Sequence, residues 1–452
     1  MANKNVTDMT VGNPTRHILK FTFPLLIGNL FQQLYNMVDS IVVGRYVSSH
    51  ALAAVGACGS LNFLFFSLSS GLAVGIGVIA SQYFGANDEK QLKKTIANSI
   101  YVLALSALVV TLIGVIFAGP ILRLLQTPEE YIGDSIKYFR VTCAGIVGVA
   151  FYNGVAALLR SVGDSKTPLY FLILSSIINV GLDLTFVLAF DMGVVGVALA
   201  TIIAQAVSAV VSMFYAYHKV SYFRLGKNDL RPDFSMIRDS YRLGAPVALQ
   251  NSMIAVSCIA LQAVVNGFGP DIASAYTITG RIEQLVQQPY GSLGMALTSY
   301  SGQNIGAKKQ DRVITGFRKA TLIVLIFSMI MLPVYFLFGK YICGIFVKDE
   351  AAEIVISLGA SALRITSPFY FALGMIYVPR AVLNGCGDTG FAMINGLTEV
   401  VCRIVFSNIL TRIPFFGYWG IWITTGLTWG FTAIVCVMRY RSGKWKYKAL
   451  ER

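Results

Sequence analysis

Twelve long apolar stretches, separated by short polar or glycine- and proline-containing loops, run along this chain of 452 residues. Each has about 20 residues or more, the length that an α-helix needs to cross the hydrocarbon core of a bilayer. We predict an all-α membrane protein with twelve transmembrane helices, called spans 1 to 12 in chain order. Their approximate bounds are 17–43, 52–80, 95–118, 136–159, 168–190, 194–217, 240–266, 273–302, 317–338, 355–384, 391–411 and 418–438.

The two halves of the chain repeat one another, because three motifs recur at an offset of about 222 residues. They are Lys20-Phe-Thr-Phe-Pro24 with Arg242-Leu-Gly-Ala-Pro246, Gln82-x-x-Gly85-Ala86 with Gln303-x-x-Gly306-Ala307, and Leu159-Arg-Ser-Val-Gly163-Asp164-Ser165 with Leu383-Asn-Gly-Cys-Gly387-Asp388-Thr389. We predict two pseudo-symmetric six-helix bundles, an N-lobe (1–225, spans 1–6) and a C-lobe (226–452, spans 7–12). The substrate path is expected between them.

Composition and charge agree with a membrane protein. Hydrophobic residues make up 55% and charged residues 13% of the chain, against about 25% charged in a typical soluble domain. The net charge of +14 comes from Lys and Arg concentrated in the loops after even-numbered spans and in the C-terminal tail. Such asymmetry places both termini in the cytoplasm. We expect the inner or plasma membrane of a bacterial or archaeal cell, and no nucleic-acid partner. The opposite loops carry only Arg45, Arg123, Lys137, Arg140, Lys340, Lys348 and Arg412.

Cysteine and histidine give no sign of catalysis. The seven cysteines are single and scattered, with no CxxC pair, so neither a zinc site nor a redox motif is indicated. His17, His50 and His218 lie at helix ends, without metal-ligand spacing or a nucleophile nearby. We predict that the protein is not an enzyme and that it has no cofactor.

Ionisable groups inside the spans are costly in hydrocarbon and so suggest function. Two spans carry an aspartate at the end of a polar stripe with helical spacing. The stripes are Gln32, Tyr35 or Asn36, and Asp39 in span 1, and Ser176, Asn179 and Asp183 in span 5.

The two aspartates are expected to share one pocket with polar groups of the neighbouring helices. Asp39, Asp183 and Thr201 all fall in the outer half of the membrane, at similar depth. Burial and a nearby like charge each disfavour an ionised carboxyl group, so the pocket is expected to respond to protons. Its oxygens suit Na⁺ equally well, and the residues leave that choice open. The alternative is that both aspartates are hydrated groups near helix ends.

Other polar positions have plainer interpretations. Glu399 and Arg403 stand four apart in span 11, which predicts an internal ion pair. Glu283, Gln284, Gln287 and Gln288 form a polar face of span 8 that we expect to line a cavity, whereas Arg281 cannot face Glu283, and Arg364 is equally suited to anchoring carbonyl groups. Gly71, Gly75 and Gly77 predict a close helix contact. Pro24 permits a kink in span 1, where it either acts as a hinge or only shapes packing.

At these residues the sequence resembles the multidrug and toxic compound extrusion (MATE) family, over nearly its whole length. The resemblance is strongest to the branch typified by the DNA-damage-inducible F proteins. It implies that Asp39 is the main cation-responsive group. It also implies that Asn179, Asp183 and Thr201 complete the ion or proton site, that Tyr35 lines the drug cavity and that Pro24 marks the bend of span 1.

One departure from the wider family is informative. Another branch carries acidic residues in spans 7 and 10, whereas span 7 here has Gln250 and Asn251, and span 10 has no acidic residue before Asp388. Coupling through a site of that kind in the C-lobe is therefore doubtful.

These observations predict an antiporter that exports organic, mainly cationic, drugs by alternating access, driven by H⁺ or Na⁺. Gln32, Tyr35, Asn36, Gln284 and Gln288 are expected to line the substrate cavity. Asp39 and Asp183 are the candidate ligands if the ion is Na⁺. We expect a monomer in contact with membrane lipid. The alternative transporter is a flippase for lipid-linked precursors, which usually needs a strongly cationic cavity; only Arg281 and Arg364 are central candidates.

Overall fold

The computed structural model describes residues 6–346 and 352–450, and these form helices and turns without any β-strand. Lys348, counted among the outer-loop cations above, lies outside the described residues. The α-helices of these ranges are α1 Pro14–Val42, α2 Ser49–Gly85, α3 Glu89–Leu124, α4 Glu129–Ala144, α5 Ile146–Ser161, α6 Lys166–Leu184, α7 Gly193–Lys219, α8 Phe234–Asn266, α9 Pro270–Gly306, α10 Gln310–Gly344, α11 Ala352–Thr366, α12 Tyr370–Gly385, α13 Gly390–Leu410 and α14 Gly420–Arg441.

Twelve spans account for these helices, as predicted. Within the described ranges, nine helices are long and apolar enough to cross a membrane when α11 and α12 are taken together, and the bent pair α4–α5 makes a tenth. The other two spans are α1 and α9, with 29 and 37 residues. They are the more polar helices because they carry the stripes noted in spans 1 and 8.

Two predicted spans are broken rather than continuous. The 43° bend of span 4 lies between α4 and α5, at Gly145, where a Cβ atom would approach Ile202 of α7 to 2.0 Å. Glycine therefore both weakens the helix and lets α7 pack against it. Span 10 is interrupted by the 3₁₀ turn Ser367–Phe369, which contains Pro368. Proline cannot donate the backbone hydrogen bond that would continue α11.

Glycines bring the two lobes into direct backbone contact. A Cβ on Gly71 would lie 2.4 Å from the backbone of Ala248, and one on Gly75 would lie 2.5 Å from the nitrogen of Gly244. The predicted close contact at the glycine-rich stretch is thus confirmed, and its partner is α8. Because no side chain fits there, α2 and α8 approach as closely as their backbones allow.

The duplicated Gln-x-x-Gly-Ala motifs meet at the ends of α2 and α9. A Cβ on Gly85 would lie 1.9 Å from the carbonyl oxygen of Gln303, and one on Gly306 would lie 2.0 Å from that of Gln82. The repeat is therefore visible in space as two motifs packed against each other. We call this side of the molecule the terminal face, because both ends of the described chain also lie there.

Both chain ends are held at the terminal face by the motif glutamines. The Gln303 side chain accepts from the Met9 N–H (2.9 Å) and donates to the Ser161 carbonyl of the N-lobe (2.8 Å). Gln303 of the C-lobe thus holds both the N-terminal segment and the end of α5.

Gln82 makes the matching contacts. It accepts from the Leu450 N–H (3.0 Å) and donates to the Gly385 carbonyl of the C-lobe (3.0 Å). The two lobes are consequently closed against each other on this face by two equivalent sets of buried hydrogen bonds, which are expensive to leave unmade.

Each lobe has its own hydrophobic core, but the first helix of each lobe reaches into the other. Ile18, Phe21 and Leu25 of α1 are buried in the core formed mainly by α9–α14. Met236 and Leu243 of α8 are buried in the core formed mainly by α2–α5. The division of the chain at residue 225 stays a prediction, and these crossing segments show why the lobes are not separate in packing.

Gly85→Ala is expected to destabilise the protein, because its Cβ would collide with backbone rather than with a movable side chain. Overpacking of this kind costs about 1–3 kcal/mol, so the midpoint temperature of unfolding of the purified protein should fall. Gly59→Ala is the matched control on the same helix, since nothing lies within 4 Å of its Cβ position. Equal midpoints for the two variants would contradict the proposed close contact.

Candidate functional site

Packing of α1 on α6, and of α6 on α7, brings the predicted ion-site residues together. The carboxyl groups of Asp39 and Asp183 lie within hydrogen-bonding range of each other. Next to them, the Asn179 amide donates to the Thr201 hydroxyl at 3.4 Å, and Thr201 donates to the carbonyl of Val197 at 3.1 Å. The two aspartates are thus neither turned into lipid nor separated by an apolar wall.

Several acceptor oxygens of this pocket have no donor. Asp183 is fully buried, and within the described ranges neither of its carboxyl oxygens has a hydrogen-bond partner. The same holds there for Oδ1 of Asp39 and for Oδ1 of Asn179. Two ionised carboxylates in contact repel each other, and buried acceptors without donors are costly. The group is therefore suited to hold a proton or a small cation.

The pocket lies where two helices change their winding. After Asp39, α1 continues as the π-helix Val43–Val47, and after Asp183, α6 continues as the π-helix Thr185–Ala189. These two segments contact each other. Such turns are rare and occur frequently at functional sites.

An apolar cluster closes the pocket at the π-helical end. It is formed by Val42, Val43, Ala51, Val187, Val194 and Val197, all buried. Because this end is remote from the terminal face, the cluster stands between the two aspartates and the opposite surface of the molecule.

Two residues that the sequence analysis missed also belong to the pocket. Gln205 of α7 contacts the Tyr35 hydroxyl together with Gln32, and its own Oε1 has no partner within the described residues. It lies one turn beyond Thr201, so the helical spacing could have revealed it. Tyr138 of α4 lies close to Asp39 and Asp183, and no periodicity in the sequence pointed to it.

The predicted cavity residues lie on α1 and α9, two helices of opposite lobes that pack against each other. The helices touch where Asn29 donates to the Ser292 hydroxyl at 3.0 Å. Moving away from the terminal face, α1 next presents exposed Gln32 and Asn36, and α9 presents half-buried Gln288 and exposed Gln284. Polar residues of both lobes therefore follow the Asn29–Ser292 contact. That they line a substrate cleft between α1 and α9 stays a prediction.

The polar face predicted for span 8 is divided between two sides of α9. Glu283 turns into the C-lobe, where its carboxyl group lies near Thr366 and Arg403, and Gln287 accepts from the Tyr377 hydroxyl at 3.3 Å. The expectation that Glu283 lines the cavity together with Gln284 is therefore wrong. At 3.6 residues per turn the two adjacent positions point about 100° apart.

Glu399, Arg403 and Arg364 make contacts that stabilise the C-lobe. Arg403 forms a buried ion pair with Glu399 at 3.0 Å, which confirms the predicted pairing, and it also contacts Sγ of Cys258 at 2.9 Å. Arg364 donates to the carbonyl of Phe336 at 3.2 Å, in agreement with an anchoring role.

Pro24 is buried within α1. It leaves the carbonyl of Lys20 without its helical donor, and one turn later a Cβ on Gly28 would lie 3.3 Å from Leu172 of α6. The half of α1 that precedes the ion-site residues therefore lacks one helical hydrogen bond at Pro24 and packs closely on α6 at Gly28.

A Na⁺ site would rest on few acidic ligands. In the part of the chain that the structure describes, no group of three or more His, Cys, Asp or Glu side chains comes together. The oxygens available are those of Asp39, Asp183, Asn179 and Thr201. Hard cations prefer oxygen ligands of this kind.

The sequence model of the MatE family matches this chain twice, over residues 24–185 and 246–409. The chain belongs to the MATE family. The two matched blocks begin at Pro24 and Pro246, the prolines of the first repeated motif, so the duplication seen in the motifs is also that of the family. MATE proteins are membrane transporters; the narrower branch assignment stays a prediction.

Curated MATE relatives align over nearly their whole length. The probable multidrug resistance protein YpnP of Bacillus subtilis is 28% identical over 97% of both chains. The probable multidrug resistance protein NorM of Thermotoga maritima is 23% identical over 96% of this chain and 94% of its own.

Solved structures share the same twelve-helix, two-lobed MATE fold. A MOP-superfamily transporter from Pyrococcus furiosus, described as having a binding pocket of reverse polarity, matches with a TM-score of 0.91 at 24% identity over 98% of both chains. An outward-facing multidrug resistance MATE transporter matches with a TM-score of 0.90 at 24% identity over the full length of both.

Asp183→Asn is expected to stabilise this MATE protein, because the carboxyl group that it removes is buried and accepts no hydrogen bond. The amide that replaces it can donate a hydrogen bond to Asp39. Removing such a conflict is worth about 1–3 kcal/mol and should raise the midpoint temperature of unfolding. In Asp388→Asn the midpoint should fall, since both oxygens of Asp388 accept from Arg439, at 2.7 and 2.8 Å. A lower midpoint for Asp183→Asn would show that this carboxyl group has donors we have not identified.

Proposed function

We propose that the protein is a cation-coupled multidrug efflux antiporter that exports organic, mainly cationic, compounds by alternating access. The observation that supports this most directly is the contact between Asp39 and Asp183, whose oxygens lack donors among the described residues. Membership of the MATE family and the names of the curated relatives support the substrate class.

The coupling ion acts at the pocket of Asp39, Asp183, Asn179 and Thr201. A proton on one aspartate would let it donate to the other, and Na⁺ would bridge both carboxylates with help from the amide and hydroxyl oxygens. Either event removes the repulsion between two like charges. An ion shifts the balance between two conformations only as far as it binds one of them more tightly. In this proposal α1, which bears Asp39, is the helix whose position differs between the two conformations.

The substrate occupies the cleft between α1 and α9. Gln32, Asn36, Gln284 and Gln288 provide neutral polar contacts on its two walls, and Tyr35 provides an aromatic ring of the kind that binds cations by cation–π interaction. Asp39, on the same helix, attracts a positively charged compound when it is ionised. Proton or Na⁺ uptake at Asp39 then weakens this attraction, so that ion entry and drug release are linked.

The cleft fits an arrangement open toward the outside. With both termini in the cytoplasm, the terminal face is the inner face, and it is the closed one. Because the apolar cluster closes the pocket directly toward the outside, the ion reaches half-buried Asp39 from the cleft, past exposed Asn36. Ion entry from outside and drug release to the same side are then possible in this state. Each chain carries a complete pathway, so a monomer in the cell membrane suffices, without a cofactor.

Pro24 is proposed as the hinge of α1, because it lies between the part of α1 packed in the C-lobe core and the part that carries Asp39. Pro24→Ala restores a backbone donor and stiffens the helix. Transport of an organic-cation dye should fall several-fold, while dye binding, measured by fluorescence anisotropy, should change little. If dye transport and binding both match those of the unaltered protein, Pro24 only shapes packing.

Transport of such a dye by proteoliposomes under separate pH and Na⁺ gradients tests the coupling. Asp39→Asn and Asp183→Asn are each expected to lower gradient-driven transport by about tenfold or more, since coupling energies of 1–3 kcal/mol correspond to factors of about 5–150. The gradient that drives the unaltered protein identifies the ion.

Glu283→Gln is the control for removing an intramembrane carboxyl group, because Glu283 faces the C-lobe interior and not the cleft. It should leave the coupling ratio unchanged. Full gradient-driven transport in both aspartate variants would refute the assigned ion site. Movement of a lipid-linked sugar without movement of dye would favour a flippase.

A further inference from the structure

The two repeats build a related pair of pockets on the terminal face. A chain end packs on both, since the carbonyl oxygen of Thr7 lies against Gly163 and that of Lys448 against Gly387, but only the N-lobe pocket is nearly filled. Around Lys20, Gly163 and Ser165 of the N-lobe, the segment from Thr7 to Met9 leaves a cavity of about 50 Å³. Around Arg242, Gly387 and Thr389, which occupy the matching positions of the repeat, the cavity has about 550 Å³. The larger one is also lined by Lys448 and Leu450 of the C-terminal tail.

In the filled pocket, the helix that starts there is capped by its own chain. Asp164 accepts through Oδ1 from the N–H groups of Lys166 (3.1 Å) and Thr167 (3.0 Å), and through Oδ2 from the Thr167 hydroxyl (2.6 Å). The positive N-terminus of α6 is therefore satisfied by a carboxylate.

In the open pocket the equivalent aspartate is used elsewhere. Both oxygens of Asp388 accept from Arg439, at 2.7 and 2.8 Å, so they do not serve α13. The side chain of Thr389, the N-cap residue of α13, makes no capping hydrogen bond. Thr389 is one of the lining residues; it is fully buried, and its hydroxyl has no partner within the described ranges. The cavity thus adjoins the N-terminus of α13, where Gly390 and Phe391 also line it, and a hydroxyl without a partner.

Unpaired positive charge surrounds these donors. In residues 6–346 and 352–450, the side chains of Arg242 and Lys448 make no hydrogen bond or ion pair. Asp239, the other carboxylate of the lining, is itself engaged in an interaction, and Asp388 is neutralised by Arg439. An anion with several acceptor oxygens matches such a set of groups.

The rest of the lining is mainly apolar and lies beside the start of span 11. Phe391 and Ile394 follow on α13, and Ile394 is 50% exposed. Tyr447, at the rim, is 82% exposed. Aromatic side chains beside basic groups at one end of the spans are typical of the interface between bilayer and water.

We propose that this cavity binds the phosphate group of an anionic phospholipid from the leaflet on the terminal-face side. The N–H groups of α13 and the Thr389 hydroxyl donate to phosphate oxygens, and Arg242 and Lys448 balance the charge. The acyl chains leave along Phe391 and Ile394. Because the tail that carries Lys448 also bonds to Gln82 through the Leu450 N–H, a bound headgroup strengthens the closure of the two lobes on this face. The proposal does not depend on the transport cycle.

Native mass spectrometry of the full-length protein, with phosphatidylglycerol competing against phosphatidylcholine, tests the site. Arg242→Gln and Thr389→Val are each expected to weaken phosphatidylglycerol binding about tenfold, the size of one charge-assisted hydrogen bond. Lys20→Gln, at the matching but filled pocket, should bind as tightly as the unaltered protein.

A second measurement separates the lipid from free phosphate. In phosphatidylcholine nanodiscs, replacing part of the lipid with phosphatidylglycerol should raise the midpoint temperature of unfolding of the unaltered protein more than that of Arg242→Gln. An equal rise on adding inorganic phosphate alone would assign the site to the free ion. Unchanged phosphatidylglycerol binding in Arg242→Gln and Thr389→Val, or equal losses in Lys20→Gln and Arg242→Gln, would overturn the proposal.

Discussion

The contact between two carboxyl groups inside an apolar helix bundle is the interaction on which the arrangement of the N-lobe site depends. Their repulsion and their missing donors make the pocket of Asp39 and Asp183 unstable by itself, so a proton or cation changes its energy strongly. The neighbouring residues surround these two carboxyl groups. Asn179, Thr201 and Gln205 supply polar atoms, whereas the apolar cluster closes the pocket on one side.

Close backbone contact provides the second constraint. Where α2 crosses α8, and where the two Gln-x-x-Gly-Ala motifs meet, no side chain separates the lobes. Such contacts are either fully made or fully lost, because packed interiors do not deform gradually. They favour two discrete arrangements of the lobes over a continuum, as the proposed alternating access requires.

Much of this architecture could be predicted from the sequence, because a bilayer requires apolar stretches of a minimum length. Helical spacing then shows which polar residues of a span share one side of the helix. The twelve spans followed from hydropathy, and the meeting of Asp39 with Asp183 followed from helical spacing and depth. The break at Gly145 could not be foreseen, since it depends on Ile202 of a distant helix. Glu283 was misplaced for the same reason. Periodicity assigns a residue to one side of a helix but does not identify the neighbour on that side, which here is Thr366 within the C-lobe.

The packing of the first segments of α1 and α8 in the core of the opposite lobe bears on how such a molecule arose. Ile18 and Phe21 complete the core of the second half, and Met236 and Leu243 complete the core of the first. A six-span ancestor with the same surfaces would have buried them only as a pair of identical subunits trading these segments. A fusion of two such copies would have needed no new core, only a linker such as the one that joins α7 to α8.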